Sequence, residues 1–371
     1  MLQVNINEVV KNDLKIKVKE SAKDYYIKCP FCNSKKKPLN INTYKNVFRC
    51  NRCGESGSAI SLHAKLNGIS YDVARESLKE EGYSSDLVFN ETKETEVSPL
   101  DIRDAMYRSL LKQLTLSSKH YYDLMERGLS KEDIERFGYK TVPVVGLTTI
   151  GEKCYSDMIG DVFYNDSITA HDVHNTQTPG FYRRNETGEI VLVSKKDGYL
   201  IPVKTLEGKI SAFQVRHNPL SEEASEAEKD TYAKYTYLNS GFKSTGASVT
   251  GCENIHYTGF ENGIPKEVYL TEGCLKADVA STLSKKAFIA VMGVNNVSQL
   301  PEALHKLHTL GVKKINLCFD MDYQDKEQVK KALKKVQEMI LDEGLKCKVC
   351  KWPKEFKGID DYCLYQKRTR S

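Results

Sequence analysis

The sequence has no long apolar run. No stretch of its 371 residues approaches the roughly 20 apolar residues that a helix needs to cross a bilayer. The first residues, MLQVNINEVVKNDLK, also lack the apolar block of a secretory signal. A G-x-x-x-x-G-K-[ST] phosphate loop is absent too, which excludes a P-loop helicase within this sequence. We therefore expect a cytoplasmic protein with no membrane partner, which depends on a separate enzyme for any unwinding.

Cysteine, by contrast, occurs eleven times. A reducing compartment keeps thiols free, so clustered cysteines indicate metal ligands or chemistry rather than disulfides. The clearest cluster is Cys29-Pro-Phe-Cys32, followed after seventeen residues by Cys50-Asn-Arg-Cys53. Two short C-x-x-C turns can place four thiolates around tetrahedral zinc in a segment too small to bury a large core. The spacing predicts one structural zinc ion per chain.

His63 and the second C-x-x-C pair are expected not to bind metal. His63 follows Cys53 by ten residues. Because four thiolates already fill a zinc site, His63 is interpreted as a helix residue. Cys347 and Cys350 form another C-x-x-C pair, but they lie in a predicted strand. Residues three apart on a strand point to opposite faces, so these two sulfurs should diverge.

The positive charge is concentrated at the N-terminus. Residues 1–60 hold twelve Lys/Arg and five Asp/Glu, a net +7, which leaves −2 for the rest of the chain. Such a concentration can be a solvated surface, but it is also typical of a module that contacts phosphates. Its cations around the cysteines are Lys35, Lys36, Lys37, Lys45, Arg49 and Arg52. The alternating stretch LNINTYKNVFRC suits a strand, with Phe48 expected to pack beneath the zinc.

The middle of the sequence reads as helices, a linker and a hairpin. The segment SAISLHAKLNGISYDVARESLKEEG has helical spacing broken at Gly68, and residues 84–99 read as a polar linker. Helices are predicted from Leu100 to Tyr139, with Gly128 ending one and Ser130 capping the next. GYLIPVKTLEGKISAFQVRHN predicts a hairpin, and PLSEEASEAEKD predicts an exposed, mobile loop.

Three cations follow in or after this hairpin: Arg216, Lys234 and Lys243. Cationic side chains at strand ends and loops can hold a triphosphate or a template backbone. Each of them alone is more often an ordinary surface charge.

From Glu267 onward, strands and helices alternate, which predicts a parallel sheet covered by helices. Acids follow three of the strands: Glu272; Asp320 and Asp322; and Asp360 and Asp361. Ligands of such sheets bind beyond the carboxyl ends of the strands, and oxygen ligands are those that Mg²⁺ prefers. The pattern predicts a magnesium or manganese site, although any one acid could simply cap a helix.

The acidic sheet resembles the TOPRIM domain of primases, type IA and II topoisomerases and some nucleases. The resemblance rests on Glu272-Gly273 and on Asp320-Met321-Asp322. The rest of the chain is similar to DnaG-type bacterial and phage DNA primases. YYIKCPFC…VFRCNRCGESGSAI resembles their zinc ribbon; YDLMERGLSKEDIERFG, LIPVKTLEGKISAFQVR and KYTYLNS resemble successive parts of their polymerase core.

The sequence departs from this family at four points. Cys32 stands where the family's ribbon usually has His, and the resulting four-cysteine site is more like that of phage primases. Lys276 stands where an aspartate usually follows the strand-end glutamate by four residues, and Asp278 lies two residues further on. Asp360-Asp361 replaces the usual Asp-Pro-Asp, so the sequence leaves open which of these acids bind the metal. The family's helical segment and helicase-binding domain do not follow the sheet. This favours a compact primase of a phage, plasmid or other mobile element.

The resemblance implies an α+β and α/β multidomain protein. We expect a zinc ribbon with bracing helices at 1–83, a linker at 84–99, a mixed α+β primase core subdomain at 100–262 and a TOPRIM parallel α/β sheet at 263–371. By resemblance, Glu272, Asp320, Asp322 and Asp360 organise the metal ions. Nucleotide or template phosphates would be bound by nine cations: Lys35, Lys36, Lys37, Arg49, Arg52, Arg216, Lys234, Lys243 and Lys276.

The expected activity is synthesis of short RNA, or DNA, primers. The expected partners are a single-stranded DNA template, nucleoside triphosphates and a separate replicative helicase. Two alternatives stay open: a TOPRIM nuclease or topoisomerase-like enzyme, and a non-catalytic single-stranded-DNA-binding replication protein.

Overall fold

The computed structural model describes residues 4–18, 24–32, 34, 36–43, 46–80, 96–163, 165, 167–194, 197–293, 297–321 and 327–370. The chain divides into two compact units: residues 1–92 with 220–232, and residues 93–219 with 233–371. Most of the predicted linker, residues 84–95, lies outside the described residues. Among the helices that the structure describes, none has the length and apolar character needed to span a membrane.

The first unit is a four-stranded antiparallel sheet with helices beside it. Its elements in chain order are α1 (Ile6–Asp13), β1 (Asp24–Ile27), β2 (Leu39–Asn42), β3 (Val47–Cys50), β4 (Ser56–Ser58), α2 (Ala59–Asn67) and α3 (Tyr71–Glu80). The strands pair in sequence order. Gly68 takes the left-handed conformation after α2, so the predicted break is confirmed. Phe48 is buried in the core of this unit, and its predicted packing role is also confirmed.

The stretch LNINTYKNVFRC is a hairpin rather than one strand. β2 pairs with β3 in antiparallel register, with Ile41 opposite Phe48. The chain reverses at Asn46, whose φ of 54° is one that asparagine tolerates better than most residues. The Asn46 side chain accepts the amide N–H of Ile6 at 2.7 Å and donates to the carbonyl of Val4 at 2.7 Å. These contacts stabilise the turn and account for the error in the prediction.

The second unit begins with helices and an antiparallel sheet. Its elements up to residue 258 are α4 (Leu100–Gln113), α5 (Ser118–Glu126), α6 (Lys131–Phe137), β5 (Lys140–Thr141), α7 (Leu147–Val162), α8 (Ala170–Asn175), β6 (Phe181–Arg183), β7 (Ile190–Leu192), β8 (Gly198–Lys204), β9 (Ile210–His217), β10 (Tyr235–Tyr237), a 3₁₀ turn (Val249–Gly251) and β11 (His256–Thr258). The larger antiparallel sheet has the order β10-β9-β8-β5. The predicted cap at Ser130 and the predicted hairpin, which is β8 and β9 with its turn at Gly208, are confirmed.

The acidic segment PLSEEASEAEKD is only partly a loop. It contains the short helix α9 (Glu226–Thr231), which belongs to the segment 220–232. Ser225 begins the helix as the N-cap and exchanges hydrogen bonds with Glu228 in a capping box. The S-x-x-E pattern was the sequence signal for this helix.

The C-terminal part of the second unit is an α/β sheet. Its remaining elements are β12 (Glu267–Glu272), α10 (Cys274–Ser284), β13 (Phe288–Val291), α11 (Leu300–Thr309), β14 (Lys314–Leu317), α12 (Glu327–Asp342), β15 (Lys346–Val349) and α13 (Ile359–Arg370). The strand order is β11-β13-β12-β14-β15. All neighbours are parallel except β11, which runs antiparallel at one edge, so the predicted parallel sheet carries one additional strand.

Helices cover both faces of this sheet. One apolar core lies between the strands and α11 and α12, and a second core on the other face includes residues of α10 and α13. Cys347 packs against the first core and Cys350 belongs to the second, so their side chains diverge as predicted. The carboxyl ends of β12 and β14 lie side by side in the middle of the sheet, because these two strands are parallel neighbours. That edge carries the candidate acids.

Candidate zinc centre and acidic cleft

The four ribbon cysteines converge. Their sulfur atoms all lie within 4.8 Å of one another, with Cys29 Sγ 3.8 Å from Cys53 Sγ and Cys32 Sγ 3.9 Å from Cys50 Sγ. A zinc–sulfur bond of about 2.3 Å gives a tetrahedral edge of roughly 3.8 Å, so the spacing fits a four-thiolate zinc site. Within the described ranges no other group of three or more His, Cys, Asp and Glu side chains is this close.

Four sulfur ligands leave no open position on a tetrahedral ion, which supports a structural rather than a catalytic zinc. The amide N–H groups of Arg52 and Cys53 both donate to Cys50 Sγ at 3.4 Å. Burial opposes ionisation of Cys50, but these amides outweigh it and lower the pKa of the thiol. His63 is buried in α2, and its Nδ1 lies 2.6 Å from Asp13 Oδ2, so its predicted role as a structural helix residue is confirmed.

The predicted cations of the ribbon lie on its exposed surface where the structure describes them. Lys36, Lys37, Arg49 and Arg52 are exposed, and Arg49 projects from β3 on the side opposite the buried Phe48. Lys35 and Lys45 fall outside the described residues.

Glu272 is placed by an abrupt transition from strand to helix. It is the last residue of β12, and α10 begins at Cys274. Gly273 makes this possible, because its φ of 87° is rarely adopted by residues with a side chain. The Gly273 amide donates to the carbonyl of Val291 at 2.8 Å, which fixes the turn against the neighbouring strand β13.

Asp320 lies three residues beyond the end of β14, beside Lys276 of α10. The Lys276 ammonium donates to Asp320 Oδ1, and both side chains are largely buried. Burial disfavours the charged form of Lys276, but Asp320, Asp360 and Glu272 outweigh it and raise the pKa of the ammonium. The exposed Lys357 reaches to 4.0 Å from Asp320 Oδ2. Asp322 lies outside the described residues.

Asp360 lies in the first turn of α13, eleven residues after the end of β15. The expectation that it directly follows a strand is therefore wrong, because the loop at 350–358 separates the two elements. Asp360 Oδ1 is buried without a hydrogen-bond partner, and burial raises the pKa of this carboxyl. Gly358 permits the arrangement, since a Cβ at that position would lie 2.2 Å from Asp360 Oδ1.

The neighbouring acids have other roles. Asp361 is exposed and accepts a hydrogen bond from the Gly358 N–H at 3.1 Å, so it stabilises the start of α13. Asp278 is buried and turned toward the antiparallel part of the unit, where it accepts hydrogen bonds from Tyr139 at 2.6 Å and His256 at 3.0 Å. Asp278 is therefore not available to replace the acid that Lys276 displaces.

A cleft of about 210 Å³ is lined in part by Asp360 and Asp361. Its wall includes Asp123 and Arg127 from the end of α5, and Asp360 from α13. Arg127 donates to both carboxylate oxygens of Asp123 at 3.3 Å. Arg216 Nε lies 3.5 Å from the same carboxylate, and Tyr199 donates to it at 2.9 Å.

Arg216 lies between two tyrosines because of strand register. Tyr199 on β8 and Tyr235 on β10 are both paired with Arg216 on β9, so the three side chains share one face. The guanidinium carbon lies 6.0 Å from the Tyr199 ring centroid and 5.6 Å from that of Tyr235. Arg216 also donates to the Tyr235 hydroxyl at 2.7 Å.

Lys234 belongs to the same positive region. Partial burial lowers its pKa, and the charges of Arg216, Arg127, Lys357 and Lys276 lower it further. Lys234 immediately precedes Tyr235, the residue paired with Arg216, so the backbone places these two cations near one another. Lys243 is placed differently: its ammonium lies 4.8 Å from the ring centroid of Tyr182, in an exposed loop.

Sequence reasoning missed Asp123, Arg127 and Lys357. The first two are an i,i+4 pair on a helix, a pattern usually explained by helix stability alone. Their role at the cleft depends on tertiary contacts with β8 and β9, for which the sequence carries no local signal.

Two family models match the chain. Residues 1–95 match the CHC2 zinc finger, and residues 261–369 match a domain of unknown function (DUF3854). The DNA primase of Enterococcus faecalis is 22% identical over 338 residues, and that of Haemophilus influenzae is 22% identical over 334 residues. These alignments cover 87% and 86% of this chain and 50% of each relative, so the chain spans about half the length of the curated relatives it matches.

A solved structure has a similar fold. The zinc-binding and RNA polymerase domains of the Aquifex aeolicus primase align with a TM-score of 0.50 at 15% identity. The alignment covers 100% of this chain and 84% of that one. The similarity supports the predicted order of a zinc ribbon, a mixed α+β core and an α/β sheet.

Proposed function

We propose that this chain, a relative of the DnaG-type DNA primases along most of its length, synthesises short RNA, or DNA, primers on a single-stranded DNA template. The observation that carries the proposal is the combination of acids and cations at the carboxyl edge of the sheet, where Asp360 also lines the cleft. Lys276 pairs with Asp320 beyond the end of β14, the charges of Glu272 and Asp360 further stabilise its ammonium, and Arg216 and Lys234 add positive charge. Nucleotidyl transfer requires carboxylates that bind metal ions and basic side chains that bind phosphates.

The donor set fits a divalent cation. Carboxylate oxygens are the ligands that Mg²⁺ and Mn²⁺ prefer, and the buried, unpartnered Oδ1 of Asp360 has an acceptor position left for a cation. We assign the cation to Glu272, Asp320 and Asp360, with Asp322 as a further ligand. When bound, a divalent ion supplies charge neutralisation for the attacking 3′ hydroxyl and the departing pyrophosphate.

The cations of the chain bind and orient the phosphates. Arg216 presents its guanidinium beside Asp123 and between two tyrosines, which limits its freedom and orients its donors. We assign Arg216, Lys234 and Lys276 to the triphosphate or the template backbone. Lys243, in its exposed loop, is assigned to more distant template phosphates. The ribbon, residues 1–83, is assigned to template handling and the rest of the chain to synthesis, alongside a separate helicase.

Primer synthesis on a single-stranded circle with labelled nucleotides tests the proposal. Wild-type protein should give short products that require a divalent ion, and Asp320→Ala should abolish them. Glu338→Gln, which changes an exposed acid of α12, is the control and should leave synthesis unchanged. Products that persist in Asp320→Ala would remove the acidic edge from the reaction.

The same assay separates the alternatives. Nicking of the circle without nucleotides would favour a nuclease. Binding of the circle in the presence of a chelator, with no synthesis under any metal, would favour a non-catalytic binder.

A further inference from the structure

Cys318 and Cys350 lie next to each other at the ends of two parallel strands. β14 and β15 pair in register up to Leu317 and Val349, so Cys318 and Cys350 are the next pair along the ladder. The ladder holds at this point, because the Cys350 N–H donates to the Leu317 carbonyl at 2.8 Å. Cys347 is closer to Cys350 in the sequence, but it lies on the other face of the sheet.

The side chains of Cys318 and Cys350 share one face of the sheet. Cys318 is fully buried in the core that includes residues of α10 and α13, and Cys350 packs against the same core. Neighbouring strands are about 4.8 Å apart, and a disulfide accepts a Cα–Cα separation of roughly 4.4–6.8 Å. An in-register pair on one face therefore meets the backbone requirement for a disulfide without any change of strand pairing.

The two thiols differ in access to solvent. Cys318 is buried and Cys350 is partly exposed, so a small oxidant reaches Cys350 first. A hydrogen bond with Cys318 lowers the pKa of the Cys350 thiol to about 7, and three lysines help to outweigh the opposing effect of burial: Lys348, Lys286 and Lys314. A substantial fraction of Cys350 is then thiolate at neutral pH, and the thiolate is the form that attacks peroxides.

The other two cysteines near this pair are poorer partners for Cys350. Cys363 of α13 belongs to the same core, but burial raises the pKa of its thiol to about 11. Cys347 packs against the opposite core, and burial raises the pKa of its thiol as well. Neither of them occupies the neighbouring position on β14, which belongs to Cys318.

We infer that Cys318 and Cys350 form a reversible disulfide when the protein meets a hydroperoxide, with Cys350 attacking and Cys318 resolving. The Cys350 thiolate attacks one oxygen of hydrogen peroxide: an S–O bond forms, the O–O bond breaks, and the released hydroxide takes up the proton that Cys350 had lost. The Cys318 sulfur then attacks the sulfur of the Cys350 sulfenic acid, so an S–S bond forms and the hydroxyl leaves as water with the Cys318 proton. Two electrons pass from the thiols to the peroxide, and a dithiol reverses the reaction by thiol–disulfide exchange.

A disulfide here acts on the segments that carry the candidate acids. Asp320 follows Cys318 by two residues, and the loop that begins at Cys350 leads to Asp360. A disulfide draws the two Cβ atoms to about 3.8 Å, closer than the strand spacing of about 4.8 Å, so oxidation should shift the ends of β14 and β15. The modification site therefore lies beside the acidic edge, and its existence does not depend on the proposed function.

Peptide mapping of the oxidised full chain tests the inference. The zinc-loaded protein is treated with a small excess of hydrogen peroxide, its remaining thiols are blocked with iodoacetamide in denaturant, and tryptic peptides are weighed with and without reduction. Trypsin cleaves between Cys347 and Cys350, so the two are distinguished. Wild type should give the Cys318 peptide, residues 315–326, linked to the Cys350 peptide, residues 349–351, and dithiothreitol should release both.

Three variants make the test specific. Cys347→Ser, on the opposite face, is the matched control and should form the same linked peptide in the same yield. Cys350→Ser should leave Cys318 as a free thiol, because the buried sulfur has lost its reactive neighbour. Cys318→Ala should lose the link and gain a sulfenic acid on Cys350, which dimedone traps.

The wild-type map decides the inference even if a variant fails to fold. A link from Cys350 to Cys347 or to Cys363 would overturn it. So would a Cys350 that is oxidised only to sulfinic or sulfonic acid, or one that stays a free thiol in peroxide.

Discussion

His256 Nε2 lies 3.0 Å from Asp278 Oδ1, and both side chains are 1% exposed. The backbone N–H of Lys204 donates to His256 Nδ1 at 3.0 Å, so the ring proton is on Nε2 and is donated to the carboxylate. Tyr139 donates to the other oxygen at 2.6 Å. The carboxylate thus joins the connection between α6 and β5, and the edge strand β11, to α10, the helix that carries Lys276.

Asp278→Ala should destabilise the second unit by about 3 kcal/mol or more, because it leaves two buried donors without an acceptor. Asp278→Asn should cost less, since its side-chain oxygen can still accept one of them. Thermal unfolding of the full chain measures both. Loss of metal binding with an unchanged unfolding temperature would instead identify Asp278 as a ligand.

The Asp123 carboxylate should make the stability of the folded protein sensitive to acid. Burial would raise the pKa of this carboxyl, but Arg127, Arg216 and the Tyr199 hydroxyl together lower it. A carboxyl with a lowered folded-state pKa stabilises the protein above its unfolded value of about 3.9, and this stability is lost as the pH falls through the folded value. Asp123→Asn should therefore unfold at a lower temperature than wild type near pH 6, with the gap shrinking toward pH 3.

Thermal unfolding at a series of pH values measures that gap. Asp161→Asn, an exposed change on α7, is the control and should show no such trend. A gap that stays constant down to about pH 3 would mean that the charge of Asp123 contributes no stability.

The chain should bind one zinc ion, held by the ribbon. Elemental analysis should give one zinc per chain in wild type and in Cys347→Ser, and a loss of zinc in Cys50→Ser. Removing zinc with a chelator should unfold the first unit, because its sheet depends on the cross-link between the two C-x-x-C turns. Two zinc ions in wild type, with one lost in Cys347→Ser, would show that the C-terminal pair binds metal after all.

The ribbon cations should act in template binding more than in extension. In Lys35/Lys36/Lys37→Ala, the salt dependence of single-strand binding should fall by roughly 2 in slope, about 0.7 for each lost phosphate contact. Initiation without a primer should decrease more than extension of a pre-annealed primer. Lys331/Lys334/Lys335→Ala makes the same charge change on the exposed side of α12 and serves as the control. Equal losses in initiation and extension would show that the ribbon is not a separate template reader.

Local sequence signals predicted the elements and the cysteine cluster well. The end of β12 at Glu272 could be predicted because a β-rich apolar run meets Glu-Gly and then helical spacing. The hairpin at Asn46 could not, because its turn is stabilised by contacts with residues 4 and 6, some forty positions away. The position of Asp360 in a helix was missed for a related reason: the length of the loop after β15 carries no periodic signal.

The chemistry of the acidic edge was only partly predictable. The acids were identified from their places after strands, and Lys276 was noticed as a departure from a familiar pattern. That Lys276 pairs with Asp320 depends on how α10 packs beside the end of β14, which only the folded chain reveals. The same holds for Asp123, whose partners come from two strands distant in sequence.

Template-directed incorporation by Glu272→Gln tests the central claim most directly. On an oligo(dT) template, wild-type protein with Mg²⁺ or Mn²⁺ should incorporate adenosine nucleotides and no others, starting without a primer. Glu272→Gln should fold and bind the template as wild type does, yet lose incorporation by at least about a hundredfold, the usual scale for removing one charged group from a transfer site. Incorporation by Glu272→Gln at the wild-type rate, or incorporation by wild type that ignores the template base, would contradict primer synthesis at this acidic edge.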